Sequence, residues 1–200
     1  MKRNLKIAFL MDPLEELDLN GDTTFALALE AQYRKHEISF FKPDDLFLKL
    51  GQVFANICKI ELTSFDENFN FKYHEKVISP LEFYDVILMR QDPPFNMSYI
   101  TATHILEKLS DSVLVVNNPY EVRNAPEKIF VTNFSHLMPK TLITRNQKVI
   151  QDFRDEYKDI IIKPLYGNGG QGVFHVLPKD ENFHSILEMF FTKNNEPLMI

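Results

Sequence analysis

The sequence predicts an α/β protein whose first part is a doubly wound, mostly parallel sheet and whose last part is a smaller α/β unit. Three observations carry this. Short continuous apolar runs recur at Leu5–Met11, Asp85–Met89 and Val113–Val116, the pattern of strands buried on both faces. Helical patterns lie between such runs, and strand–helix–strand order implies parallel pairing. Near residue 120 this pattern gives way to short helical pieces and, further on, a glycine cluster. The boundary is therefore set at 1–120 and 121–200. A chain of 200 residues with 44% apolar and 25% charged residues has ordinary globular composition. A chain of that size can bury roughly 70% of its unfolded surface.

Taken in order, Leu5–Met11 is the first strand, ended by Asp12 and Pro13. An acidic loop runs to Gly21. Asp22, Thr23 and Thr24 offer capping oxygens to a helix that continues to about His36. Ile38–Phe41 is the next strand. Leu46–Leu62 alternates around Gly51–Gln52 and reads as a hairpin. Phe65–Ile78 is polar with scattered aromatics, an excursion on one edge. Asp85–Met89 is a buried strand, and Met97–Leu109 a helix with Ile100, Ile105, Leu106 and Leu109 on its apolar side. Val113–Val116 is the last strand of the first part. Tyr120–Phe134 reads as two short helical pieces separated at Asn124–Pro126. Thr141–Ile143 is a short strand, Lys148–Tyr157 an amphipathic helix and Asp159–Lys163 a strand. After the glycines, Val173–Leu177 is a strand, Asn182–Phe191 a helix and Pro197–Ile200 an apolar strand. A chain stopping inside an apolar run is expected to be the N-terminal portion of a longer protein.

Composition removes several classes of function. Acidic residues outnumber basic ones by 28 to 22, for a net charge of -6, which weighs against general nucleic-acid binding. Cys58 is the single cysteine, so an intrachain disulfide framework and a cysteine-rich zinc site are excluded. It lies in a strand pattern, and a buried, inert thiol is expected. The apolar run after Met1 is too short for a signal peptide, and no stretch approaches the ~20 apolar residues of a membrane span. A soluble cytoplasmic protein is expected. The six histidines show no metal-type spacing, and no G-x-S-x-G elbow occurs. Glu15, Glu16 and Asp18 read as a solvated loop.

The strongest chemical signal is Lys163-Pro-Leu-Tyr-Gly-Asn-Gly-Gly-Gln-Gly172. Gly167, Gly169, Gly170 and Gly172 are four of the six glycines in the chain. Glycine permits positive φ and close approach of backbone amides to a ligand, and successive amides in a concavity form an anion nest. The letters fit G-x-G-x-x-G, but that fingerprint requires a helix after the loop. Here β-type residues follow, so the unit is strand–loop–strand. It reads either as a flap over phosphates or as a plain glycine hairpin. Lys163 ends the preceding strand, where an ammonium suits a phosphate. Lys128 is a second candidate, a solvated surface lysine on composition alone. Arg90-Gln-Asp-Pro-Pro-Phe95 leaves the carboxyl end of a strand, where open α/β sheets bind ligands. Arg90 suits a substrate carboxylate and Asp92 a substrate amine; the same residues also fit a rigid surface turn with an arginine–aspartate pair. Asp12 lines the same edge or caps its own turn.

The MDP turn, the LMRQDPPF segment, the N-x-P after the next strand, the PEK-x-F helix and DIIIKPLYGNGGQGV occur in that order. Together they resemble the bacterial glutathione synthetase family of ATP-grasp ligases over essentially all 200 residues. The resemblance implies a pre-ATP-grasp domain over 1–120 and the beginning of an ATP-grasp nucleotide-binding domain over 121–200. It implies a ligase that uses ATP and Mg2+ to join γ-glutamylcysteine to glycine through an acyl phosphate. Lys128 and Lys163 match the lysines on the ATP phosphates, and a catalytic role is implied for Lys163 as well. Gly167 to Gly172 match the phosphate-covering loop, and Arg90 the arginine that binds γ-glutamylcysteine. A homotetramer is implied as well. Gln91 departs from the family, which commonly has lysine there. The magnesium ligands of the family lie beyond the point matching Ile200, so this stretch alone is expected to be inactive. A non-catalytic binding or oligomerisation domain and another ATP-grasp carboxylate–amine ligase are the alternative readings.

Overall fold

Side-chain alternation along the first strand organises the first unit. In the computed structural model, which describes residues 4–19, 21–65, 68–167, 169–193 and 195–200, β1 spans Lys6–Leu10. α1 (Thr23–Tyr33) follows, with Asp22 as its cap: the Asp22 carboxylate accepts from the Phe25 amide at 2.8 Å. The helix is shorter than expected because Lys35 takes φ 68, a left-handed turn that ends it. β2 (Glu37–Phe41) then pairs in parallel with β1.

β3 (Leu46–Lys49) and β4 (Gln52–Phe65) form the expected hairpin, with its turn one residue earlier than expected, at Leu50–Gly51. Both turn residues have positive φ, 49 and 84, as a two-residue hairpin turn matched to strand twist requires. The polar stretch read as an edge excursion contains a strand, β5 (Asn68–Pro80), paired antiparallel along β4. β6 (Val86–Met89), α2 (Met97–Glu107), β7 (Leu114–Val116) and α3 (Pro119–Asn124) complete the unit. β2, β1, β6 and β7 are parallel neighbours, whereas β4 pairs antiparallel with β2, β3 and β5. The sheet is thus parallel through its centre and antiparallel at one side.

Both faces of this sheet are covered. Ile7, Phe9 and Met11 pack with Phe25, Ala28 and Ala31 of the α1 side. Ala8 and Leu10 pack with Ala102 and Leu106 of α2 on the other. Period-two alternation in a central strand supplies one layer to each side. Cys58 lies in the α1-side layer, 1% exposed, its thiol near the His74 carbonyl at 2.9 Å. Burial pushes that thiol up from its ordinary value.

The second unit comprises residues 93–95 and 125–200, and the first 1–92 and 96–124. It holds α4 (Glu127–Phe130), a 3-10 turn at Val131–Leu137, β8 (Ile143–Thr144), α5 (Gln147–Tyr157), β9 (Ile160–Pro164), β10 (Phe174–Val176), α6 (Phe183–Lys193) and β11 (Leu198–Met199). The sheet order is β10–β9–β11–β8, antiparallel at each pairing. Ile160, Ile162, Val176 and Leu198 point to one face, where Ile150 of α5 and Phe183 and Leu187 of α6 cover them. Ile161, 42% exposed, points to the other. No helix among the described residues is long and apolar enough to cross a membrane.

Candidate functional site

Alternation along β9 decides where Lys163 goes. Ile160 and Ile162 enter the core, so Ile161 and Lys163 share the opposite face of the strand. Met199 is the register partner of Lys163 on β11 and belongs to that face. Met138, Ile161, Lys163 and Met199 line a cavity of about 450 Å³ there, within the size range of small-molecule pockets. The lining is largely apolar, with Lys163, Lys140 and Asp159 as its charged members, and such a slot suits a flat heterocycle with a charged substituent at one edge. Among the described residues, the Lys163 side chain makes no hydrogen bond or ion pair with protein groups.

β9 runs directly into the glycine loop. Gly169, Gly170 and Gly172 adopt φ 58, 73 and 71, in the left-handed region that disfavours residues with a Cβ. The two ends of the loop differ from its tip. A Cβ on Gly167 would lie 3.1 Å from Pro164 Cβ, and one on Gly172 3.1 Å from Pro164 Cγ. Gly169 and Gly170 have open space around them. Asn168 lies outside the described residues. Tyr166, at the loop entry, stacks on Phe95 with ring centroids 6.3 Å apart.

Lys128, on α4, reaches this loop. Its Nζ donates to the Pro164 carbonyl at 2.7 Å and the Gly167 carbonyl at 2.6 Å. Burial holds its pKa below the ordinary lysine value, with the nearby Lys163 charge acting in the same direction and Glu127 opposing. Lys128 is thus tied to the loop by geometry and is not a solvated surface lysine. Both lysines and the loop glycines lie around one strand end, and composition alone gave no sign that Lys128 would be there.

In the first unit, Arg90, Asp92 and Asp12 gather at the carboxyl ends of β1 and β6. The Arg90 amide donates to the Leu10 carbonyl at 2.7 Å, continuing the parallel ladder by one residue. Its Nε donates to Thr24 Oγ1 at 3.1 Å and its Nη2 to Thr23 Oγ1 at 2.7 Å. No carboxylate among the described residues lies within ion-pairing distance of it, so the arginine–aspartate pair of a plain surface turn is absent there. Asp12 is engaged differently: its Oδ2 accepts from the Asp92 amide at 3.0 Å. The Asp92 carboxyl is raised from its ordinary value by burial, then by the Asp12 and Asp22 charges, with Arg90 opposing. Gln91 is buried, so its side chain belongs to the interior and not to the charged rim of the loop. The sequence offered Thr23 and Thr24 only as caps. Because Asp22 takes the cap, their hydroxyls are available to orient Arg90, and only folding shows that.

Among the described residues no three His, Cys, Asp or Glu side chains converge as metal ligands do. The donor set of the described residues does not fit a magnesium site built by protein alone.

The sequence model of the prokaryotic glutathione synthetase N-terminal domain matches residues 5–123, and that of its ATP-grasp domain matches residues 127–200. The chain belongs to the prokaryotic glutathione synthetase family. Among its relatives in that family, the glutathione synthetase of Mesorhizobium japonicum is 50% identical over 196 residues, 98% of this chain and 62% of the relative. That of Brucella melitensis is 51% identical over 195 residues, with the same coverage. That of Coxiella burnetii is 37% identical over 197 residues, 98% of this chain and 61% of the relative. This glutathione synthetase-family chain therefore spans somewhat under two thirds of the length of the curated relatives it matches. Among solved structures, a RimK domain ATP-grasp protein from Sphaerobacter thermophilus superposes with TM-score 0.60 at 16% identity, over 97% of this chain and 62% of that one. The D-cycloserine synthetase DcsG gives TM-score 0.60 at 11% identity, over 96% and 58%. At such identities the likeness is one of fold alone, in keeping with the ATP-grasp domain matched over residues 127–200.

Proposed function

We propose that these residues form the nucleotide-binding and dipeptide-binding part of an ATP-dependent glutathione synthetase. The observation that carries the reading is the loop after β9. Its glycines allow positive φ at three positions, Lys163 borders it beside an apolar slot, and Lys128 is drawn to its base. In this reading the nucleotide base lies in the slot against Ile161 and Met199. Lys163 and Lys128 meet the phosphates as point charges, and the amides of Gly167 to Gly172 close over them. Family membership supplies the reaction. The cysteinyl carboxylate of γ-glutamylcysteine attacks the γ-phosphorus of ATP, and ADP leaves. The glycine amine then attacks the acyl phosphate and expels inorganic phosphate.

Arg90 is assigned to a carboxylate of the γ-glutamyl end, since its fork is oriented by two hydroxyls and carries no competing carboxylate partner. Asp92 and Asp12 are assigned to the amine of the same end. Bound magnesium would neutralise phosphate charge, with protein ligands drawn from sequence outside this stretch. Residues 1–120 are proposed as the dipeptide-side domain and 121–200 as the beginning of the nucleotide domain. A cytoplasmic homotetramer without nucleic-acid or membrane partners belongs to the same proposal; a single buried thiol and a net charge of -6 accord with it.

The test uses the full-length protein, with ADP release followed against ATP, γ-glutamylcysteine and glycine. Release that requires both co-substrates supports the reading, and release independent of either defeats it. Lys163→Ala is expected to raise the KM for ATP at least tenfold and leave that for γ-glutamylcysteine unchanged. Arg90→Ala is expected to do the reverse.

A further inference from the structure

We propose that Lys128 and Pro164 are positioning residues that shape the glycine loop before any nucleotide arrives. The assignment of Lys128 to phosphate alone leaves its hydrogen bonds unexplained. An ammonium has three donors, and two are given to the Pro164 and Gly167 carbonyls at 2.7 and 2.6 Å. Those carbonyls bracket the chain segment that turns from β9 into the loop. One donor remains for an incoming phosphate oxygen. The pKa of Lys128, lowered by burial, accords with an ammonium packed into structure and not waving in water.

Pro164 does the complementary task on the other side of the base. Its ring sits where a Cβ of Gly167 would come within 3.1 Å and a Cβ of Gly172 within 3.1 Å. Both ends of the loop therefore close on one ring, whose φ is fixed by its own covalent geometry. Pro164 is also anchored in the sheet, paired with Leu198 of β11. At the tip, a Cβ on Gly169 or Gly170 would meet nothing within 4 Å among the described residues. The loop thus has a braced base and a tip with open space beside it. Holding the base in shape lowers the ordering entropy left to be lost when a ligand binds.

The bracing is read from geometry alone; its effect on catalysis rests on the glutathione synthetase reading. The experiment keeps the two apart. Amide hydrogen exchange over residues 165–172 is measured in the full-length protein without nucleotide, for the native sequence, Lys128→Met and Pro164→Ala. Each variant is expected to exchange at least about threefold faster in that segment, from the loss of hydrogen bonds or packing, with α5 and α6 protected as before. Equal exchange without nucleotide would overturn the proposal and leave Lys128 as a phosphate ligand only. Loss of protection in α5 and α6 as well would also count against it, because the residue would then hold the whole unit. Steady-state kinetics give a second readout. Pro164→Ala leaves both phosphate-facing lysines in place and keeps the backbone carbonyl that Lys128 meets, so a positioning role raises the KM for ATP about threefold or more with kcat and the KM for γ-glutamylcysteine held. A kcat loss at constant KM for ATP contradicts that role.

Discussion

Alanine at Gly172 and alanine at Gly170 look equivalent in the sequence, yet the structure separates them. Both glycines sit at nearly the same φ, 71 and 73, so each alanine carries the left-handed penalty of about 1–2 kcal/mol. At Gly170 nothing lies within 4 Å of the new methyl, and that penalty is the whole cost. At Gly172 the methyl meets Pro164 Cγ at 3.1 Å, Pro164 Cδ at 3.3 Å and Phe190 Cε1 at 3.5 Å. Pro164 is held in β9 and cannot swing aside, so overpacking adds about 1–3 kcal/mol. If the loop must take this shape to cover phosphates, both costs appear in ATP affinity, where every ~1.4 kcal/mol is tenfold. Gly170→Ala is then expected to weaken binding of a non-hydrolysable ATP analogue about fivefold to twentyfold, and Gly172→Ala about fiftyfold or more, by titration calorimetry on the full-length protein. Pro164→Ala removes both Cγ and Cδ, so the Gly172→Ala, Pro164→Ala pair should bind better than the sum of the single losses by at least about 1 kcal/mol. Gly167→Ala should gain less from the same change, because its contact is with Pro164 Cβ, which alanine keeps. Equal losses at Gly170 and Gly172, or a strictly additive pair, would refute the packing argument.

Three further outcomes follow from other parts of the molecule. Arg154 is buried, gives Nη2 to the Leu177, Pro178 and Asp180 carbonyls at 2.8, 2.9 and 3.1 Å, and stacks over Phe183 at 4.4 Å; Arg154→Met should cost about 2–4 kcal/mol in urea unfolding of the second unit, and Lys at that site should not restore it. Asp92 has a folded-state pKa above its ordinary 3.8, so the native state holds more protons than the unfolded one in that window and stability falls as pH rises through it. Asp92→Asn should remove that fall, and thermal unfolding from pH 4 to 7 should show the variant gaining on the native protein as pH increases; a parallel pair of curves would contradict the assignment. Cys58, 1% exposed with a raised pKa, should react with a thiol reagent far more slowly in native protein than in urea, and rapid native labelling would show that β4 opens.

What the sequence determined by itself was whatever depends on neighbours along the chain. Continuous apolar runs located β1, β6 and β7, capping residues located the start of α1, and apolar spacing located α2, because those signals act within a few residues. The glycine run after Lys163 announced a loop with unusual backbone, since a cluster of positive φ angles calls for glycine. Tertiary structure decided the rest. β5 is polar along much of its length and its register shifts between Cys58 and Ile60, so its alternation is broken, and pairing with β4, not its own pattern, makes it a strand. Lys128 lies 36 residues from Pro164, and Arg90 lies 67 from Thr23; no local spacing encodes either contact. Nor does spacing tell Gly170, which needs only conformational freedom, from Gly172, which also needs to be small. Backbone conformation is a local property and leaves its mark in order and composition, whereas who touches whom across a fold is settled only when distant segments pack.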